Sequence, residues 1–281
     1  MEIILAKSAG FCFGVKRATQ MAFDAAHEHE QIASLGPLIH SPQMVEKLEQ
    51  EGISVCRQVA DIPGGAVVIR SHGVTAQEIS EIEQSDLEVV DATCPFVKKA
   101  QDYAEQLSRE GYLLVLVGEE DHPEVQGIVS YAKGAVRIVG SPEQAQQLPR
   151  EKKIGVVAQT TQSLENFTEI VSICLAKTKE LKVFNTICDA TSVRQEEARR
   201  IAADVDLMLV IGGFNSANTS RLATLCREQQ PDTYHIETSD QLEAEWFAGK
   251  ERIGVTAGAS TPRWIIEEVL ESIQKISGLT E

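Results

Sequence analysis

Short apolar runs alternate along the chain with longer segments whose apolar and alanine positions recur at helical spacing, and the whole alternation occurs three times. The runs "EIILAKSAGF", "LEVVDAT" and "KVFNTI" each lead to a cysteine: Cys12, Cys94 and Cys188. Each cysteine is followed by a helical pattern, "FGVKRATQMAFDAA", "PFVKKAQDYAEQL" and "DATSVRQEEARRIAADV". The next strand-like runs, "QIASLG", "LLVLVG" and "LMLVIG", close on Gly36, Gly118 and Gly212, and four residues beyond each glycine stands a polar residue: His40, His122 and Ser216. From cysteine to that residue the offset is 28 in all three cases. A further strand in each third, "GAVVIRSHG", "KKIGVVAQTTQS" and "ERIGVTAGASTP", again ends in small and polar residues: His72, then Thr160 and Thr161, then Ser260.

Strands alternating with helices imply βαβ units and parallel sheets, in which ligand groups collect at the carboxyl ends of the strands. The expected fold is therefore α/β: three similar subdomains with mainly parallel sheets, set around a pseudo-threefold axis and a central cavity. Residues 1–93 would carry Cys12, His40 and His72; residues 94–186 Cys94, His122, Glu124 and Thr160; residues 187–281 Cys188, Ser216, Asn218 and Ser260. No proline- or serine-rich linker separates them, so tight packing is expected.

Composition narrows the partners. The 281 residues include 26 Lys and Arg against 42 Asp and Glu, a formal charge of -16 that disfavours nucleic acid and anionic membrane surfaces. The longest apolar runs, "YLLVLVG" and "DLMLVIGG", fall short of the roughly 18 residues of a spanning helix, and "MEIILAKSAG" lacks the pattern of a signal peptide. A cytoplasmic location is expected. The six cysteines form no C-x-x-C pair, and in a reducing compartment disulfides are a poor account of them.

Three thiols at equivalent corners point to a metal, and thiolate softness restricts it to zinc, copper(I) or an iron-sulfur cluster. A [4Fe-4S] cluster held by three cysteines leaves one iron open to substrate, whereas a three-cysteine zinc site would have the same spacing. Cys56, Cys174 and Cys226 lie in apolar strand or helix patterns and read as packing residues. His40, His72, His122, Thr160, Thr161, Ser216, Asn218 and Ser260 supply hydrogen-bond partners for an anion, and the glycines among them allow close backbone approach. Glu124, two residues after His122 across Pro123, is the candidate proton donor; Glu119, Glu120 and Asp121 read as a solvated loop face.

The stretches "GFCFGVKRA", "IHSP", "SHGV", "DATCP", "HPEVQG", "QTTQS", "NSAN" and "GVTAGASTP", in this order, closely resemble the LytB/IspH family of 4-hydroxy-3-methylbut-2-enyl diphosphate reductases over the whole chain. These enzymes complete the methylerythritol phosphate route to isoprenoids. The resemblance implies a [4Fe-4S] cluster on Cys12, Cys94 and Cys188. It implies a diphosphate site built from His40, His72, His122, Ser216, Asn218 and Ser260, with Glu124 delivering the proton and Thr160 ordering substrate and water. It further implies ferredoxin or flavodoxin as electron donor, and a monomer is expected. The family commonly has serine where this chain has Ala217, so one hydroxyl is missing from the diphosphate site. Two rival readings are an iron-sulfur dehydratase resembling quinolinate synthase and a non-enzymatic iron-sulfur redox sensor.

Overall fold

The computed structural model describes residues 1–276 and 278. Its strands are β1 (Glu2–Leu5), β2 (Ile32–Leu35), β3 (Ile53–Cys56), β4 (Ala66–Ile69), β5 (Glu88–Asp91), β6 (Leu113–Val117), β7 (Val136–Val139), β8 (Glu151–Ala158), β9 (Thr178–Val183), β10 (Leu207–Ile211), β11 (Thr233–Ile236) and β12 (Arg252–Ala257). The helices are α1 (Phe13–Glu28), α2 (Pro42–Gln50), α3 (Ala76–Glu83), α4 (Pro95–Arg109), α5 (Pro123–Ser130), α6 (Pro142–Gln146), α7 (Leu164–Leu175), α8 (Asp189–Ala202), α9 (Ala217–Gln229) and α10 (Arg263–Ile276).

The strands form three four-stranded sheets of one design: β3-β2-β4-β5, β7-β6-β8-β9 and β11-β10-β12-β1. Every pairing is parallel, as the strand–helix alternation predicts. Register repeats as well: Leu35 pairs with Ile69, Val117 with Ala158 and Ile211 with Ala257, each just before the glycine that ends the second strand of its repeat. The central strands β6 and β10 are buried along their whole length, because helices cover both faces of their sheets. Val115, Val117 and Val156 pack against Phe167 and Ile170 of α7 on one face, while Leu114, Leu116 and Val157 pack against Ala100, Ala104 and Leu107 of α4 on the other.

β1, which the reading by thirds places within residues 1–93, pairs with β12 of the last sheet. The reason is cyclic. In each sheet the fourth strand is the one that leads into a cysteine: β5 into Cys94, β9 into Cys188, and in the last sheet β1 into Cys12. The chain accordingly divides into two compact units: one of Met1–Lys16, His40–Val45 and the chain from Asp189 through α10, the other of Arg17–Ile39 and Glu46–Cys188.

Close backbone approach explains Gly258, which follows β12. A Cβ there would lie 1.9 Å from the Thr219 hydroxyl oxygen and 3.1 Å from the Thr219 Cβ, so rotating the threonine would still leave a tight contact with its Cβ. Gly258→Ala is expected to destabilise the protein by about 1–3 kcal/mol, read as a lowered midpoint in urea with an unchanged slope.

Candidate active site

The expected functional residues fall into two sets, one in each unit, and each set is built on strand ends and helix starts. In the second unit α5 begins at His122, whose Nδ1 accepts the Glu124 backbone N–H at 3.1 Å, with Pro123 pre-set in the first helical turn. That bond leaves the proton of the neutral imidazole on Nε2. The His72 ring meets His122 edge to face, with centroids 5.6 Å apart.

Glu124 is 2% exposed. Its two carboxylate oxygens receive the Thr160 backbone N–H at 2.6 Å and the Thr160 hydroxyl at 3.0 Å. Burial raises its pKa from 4.5 to about 7, against the opposing pull of the two Thr160 hydrogen bonds and with a small push from the negative charge of Glu119. A carboxyl poised near neutrality can hold a proton and deliver it. Gln159, fully buried, was not singled out from the sequence; its side-chain oxygen accepts the Glu119 N–H at 3.1 Å and so ties the ends of β6 and β8 together. A glutamine closing the otherwise apolar "GVVAQ" is the signal that marks it.

The three cysteines share one backbone device. The N–H of Cys94 bonds to Ser71 O at 2.9 Å and that of Cys188 to Thr160 O at 3.0 Å, both in the second unit; in the first, the N–H of Cys12 bonds to Ala259 O at 3.1 Å. Each acceptor lies beyond the third strand of its repeat, and each thiol stands at a helix start: Cys94 is the cap of α4, and the Val15 N–H points at Cys12 Sγ, 3.5 Å away. All three are half-buried. Cys174 and Cys226 are fully buried, and burial pushes their thiols up to about 11 and about 12. They pack in the cores of their sheets, and Cys56 packs at the edge of a third core.

In the first unit the loop after β10 leads to Ser216, which caps α9 by accepting the Thr219 N–H at 3.3 Å. The loop is pinned by the Phe214 N–H on Glu237 at 2.7 Å and by His235, whose Nε2 donates to Gly212 O at 2.8 Å. Ser260 donates its hydroxyl to His40 O at 3.0 Å, and Gly213 packs so closely on the same carbonyl that a Cβ would sit 2.9 Å from it. His40, Ser260 and the glycine loop are thus brought together. Asn218, in the first turn of α9, is 4% exposed, and neither end of its side-chain amide has a hydrogen-bond partner among the described residues. Burying such groups unsatisfied costs about 1–3 kcal/mol each, an arrangement that makes sense where a polar ligand completes it. The helix start beside it favours an anion.

Residues 3–274 match the family model described as LytB protein. The chain belongs to the LytB family. Among its LytB relatives are the 4-hydroxy-3-methylbut-2-enyl diphosphate reductases of Syntrophotalea carbinolica, 63% identical over 99% of this chain and 100% of the relative, and of Geobacter sulfurreducens, 62% identical over 98% of each. A solved structure of (E)-4-hydroxy-3-methyl-but-2-enyl diphosphate reductase, described as the terminal enzyme of the non-mevalonate pathway, is 45% identical, covers 98% of this chain and 100% of its own, and superposes with a TM-score of 0.71. The structure of the corresponding reductase from Plasmodium falciparum is 26% identical over 97% of this LytB chain and 88% of its own, with a TM-score of 0.91. No helix among the described residues is long and apolar enough to cross a membrane.

Proposed function

We propose that this LytB chain reductively dehydroxylates 4-hydroxy-3-methylbut-2-enyl diphosphate, giving isopentenyl and dimethylallyl diphosphate, at a [4Fe-4S] cluster held by Cys12, Cys94 and Cys188. The observation that carries this reading is the Glu124–Thr160 pair: a buried carboxyl, with its pKa at about 7, hydrogen-bonded to the one threonine the family resemblance assigns to the site.

The reaction consumes two electrons and two protons, breaks a C–O bond and releases water. Hydroxide leaves poorly, so the step needs a proton delivered to the departing oxygen. With its pKa at about 7, Glu124 is still partly protonated at neutral pH, and the Thr160 N–H and hydroxyl hold the carboxyl in place and stabilise the carboxylate left behind. The Nε2–H of His122 and the neighbouring His72 ring offer further donors. His40, Ser216, Asn218 and Ser260 bind the diphosphate, which lies remote from the breaking bond and supplies positioning energy. The unsatisfied Asn218 amide supports that assignment.

The donor set supports the cluster: three half-buried thiols with matching backbone anchors, whereas Cys56, also half-buried, points its thiol at Asp61 O at 3.6 Å, and Cys174 and Cys226 are fully buried with thiols that resist ionisation. When bound, such a cluster supplies electrons one at a time and an iron with an open coordination position. Ferredoxin or flavodoxin is the proposed donor, and the working state proposed is a cytoplasmic monomer.

Anaerobic incubation of the reduced protein with the hydroxymethylbutenyl diphosphate should yield both isomeric diphosphates; reduced, cluster-loaded protein that leaves the substrate unchanged would refute the assignment. Ala217→Ser tests the diphosphate assignment separately. Restoring one neutral hydrogen bond is expected to lower KM by roughly 2- to 10-fold with kcat little changed, since such a bond is worth about 0.5–1.5 kcal/mol.

A further inference from the structure

In each repeat the helix that leaves one of the three cysteines grips the segment leading to the next. α8 follows Cys188. Its Arg194, 3% exposed, donates from Nε and Nη2 to Ser8 O at 3.0 and 2.7 Å and from Nη2 to Gly10 O at 2.7 Å. One turn further, Glu197 accepts the Lys7 N–H at 3.0 Å, the Ser8 N–H at 2.9 Å and the Ser8 hydroxyl at 2.6 Å. Lys7, Ser8 and Gly10 of the link from β1 to Cys12 are thereby held from a single helix face. α1 follows Cys12, and its Arg17 donates to Thr93 O at 3.2 Å and Asp91 O at 3.5 Å, the residues just ahead of Cys94. α4 follows Cys94, and its Tyr103 stacks flat on Phe184, ahead of Cys188, with ring centroids 3.8 Å apart. Tyr103 and Glu197 both stand nine positions after their cysteine.

The grip bears directly on the segments that carry the thiols. Gly10 has φ +93, a conformation in the left-handed region that glycine adopts without strain, so the chain turns two positions before the thiol. A guanidinium fork on the Ser8 and Gly10 carbonyls fixes that turn, because its donors are planar and fixed relative to one another. We propose that Arg194, assisted by Glu197, and Arg17 are positioning residues that orient Cys12 and Cys94 for ligation; this rests on the three-cysteine cluster proposed above. They touch neither substrate nor iron. Their effect is on how tightly the thiols retain iron.

The test is the rate at which a ferrous chelator strips iron from the anaerobic, cluster-loaded full chain, compared across Arg194→Met, Arg194→Lys, Arg17→Met and Ile170→Ala. Ile170 is fully buried in the core beneath α7, and its truncation lowers global stability without touching either link. Losing charge-assisted hydrogen bonds is expected to speed release roughly tenfold or more in Arg194→Met and in Arg17→Met, relative to Ile170→Ala at equal loss of melting temperature. Arg194→Lys, which keeps the charge without the fork, should fall between parent and Arg194→Met. If Arg194→Met fails to fold, the half-buried Arg17 decides the matter through Arg17→Met. Release no faster than from Ile170→Ala, with the parent holding its cluster, overturns the positioning role alone. A parent chain that takes up no cluster overturns the three-cysteine reading and this role with it.

Discussion

Glu124→Gln is expected to lower turnover by on the order of 10²- to 10⁴-fold while leaving iron content and diphosphate binding at parental levels. The amide keeps the shape of the carboxyl and can still accept the Thr160 N–H, so the site stays formed; what it lacks is an acid proton. The same residue sets two pH dependences. With its pKa at about 7, the parent should lose kcat as the pH rises above that value and the carboxyl ionises, and Glu124→Gln should show no such limb. Stability follows the same sign. Below about 4.5 the group is protonated folded and unfolded; between 4.5 and 7 the unfolded chain ionises first, so stability falls as the pH rises, and above 7 the full difference, about 3 kcal/mol, is lost. Glu124→Gln escapes that loss, and its melting temperature relative to the parent should be higher at pH 8 than at pH 4.5. Retained turnover in Glu124→Gln would remove the residue from the chemistry.

Serine at Cys12, Cys94 or Cys188 is expected to abolish a stable four-iron cluster in each case, because a hydroxyl is a far poorer ligand for iron than a thiolate. Serine at Cys56, Cys174 or Cys226 should leave the iron content unchanged. The contrast has a physical basis. The thiols of Cys174 and Cys226, pushed up to about 11 and about 12 by burial, are held neutral inside sheet cores, where ligation would require them to ionise. Replacing either buries an extra polar group and costs about 1–3 kcal/mol of stability, which distinguishes a packing role from a ligand role. Iron analysis of the six variants after identical anaerobic loading checks this; cluster loss in any of the second three would mean that the repeat singles out the wrong thiols.

Much of the architecture is written in the repeat. The common offset from Cys12, Cys94 and Cys188 to His40, His122 and Ser216 reflects three sheets with one strand order and one register, so the local pattern and the tertiary pairing agree. The sheet membership of β1 is different. An apolar edge strand carries no mark of which sheet it completes, and only the pairing with β12 reveals that β1 belongs to the last sheet rather than to the first.

In the site, individual residues were legible and their couplings were not. Glu124 and Thr160 each stand out at a strand or helix end, yet their hydrogen bonds span 36 positions of sequence, and nothing local predicts them. Arg194, Glu197 and Arg17 look like the solvated face of ordinary amphipathic helices. Their partners are mostly backbone carbonyls and amides, which leave no trace in side-chain pattern. Asn218 belongs to the "NSAN" stretch, but only the structure reveals that its side-chain amide is buried with no hydrogen-bond partner among the described residues.

The most direct test of the three-cysteine active site is anaerobic iron and sulfide analysis with Mössbauer spectroscopy, before and after adding 4-hydroxy-3-methylbut-2-enyl diphosphate. About four irons per chain, with the signal of a single iron changing on addition, is the result expected of a cluster with one open position. Zinc in place of iron, or a four-iron spectrum indifferent to the diphosphate, would contradict it.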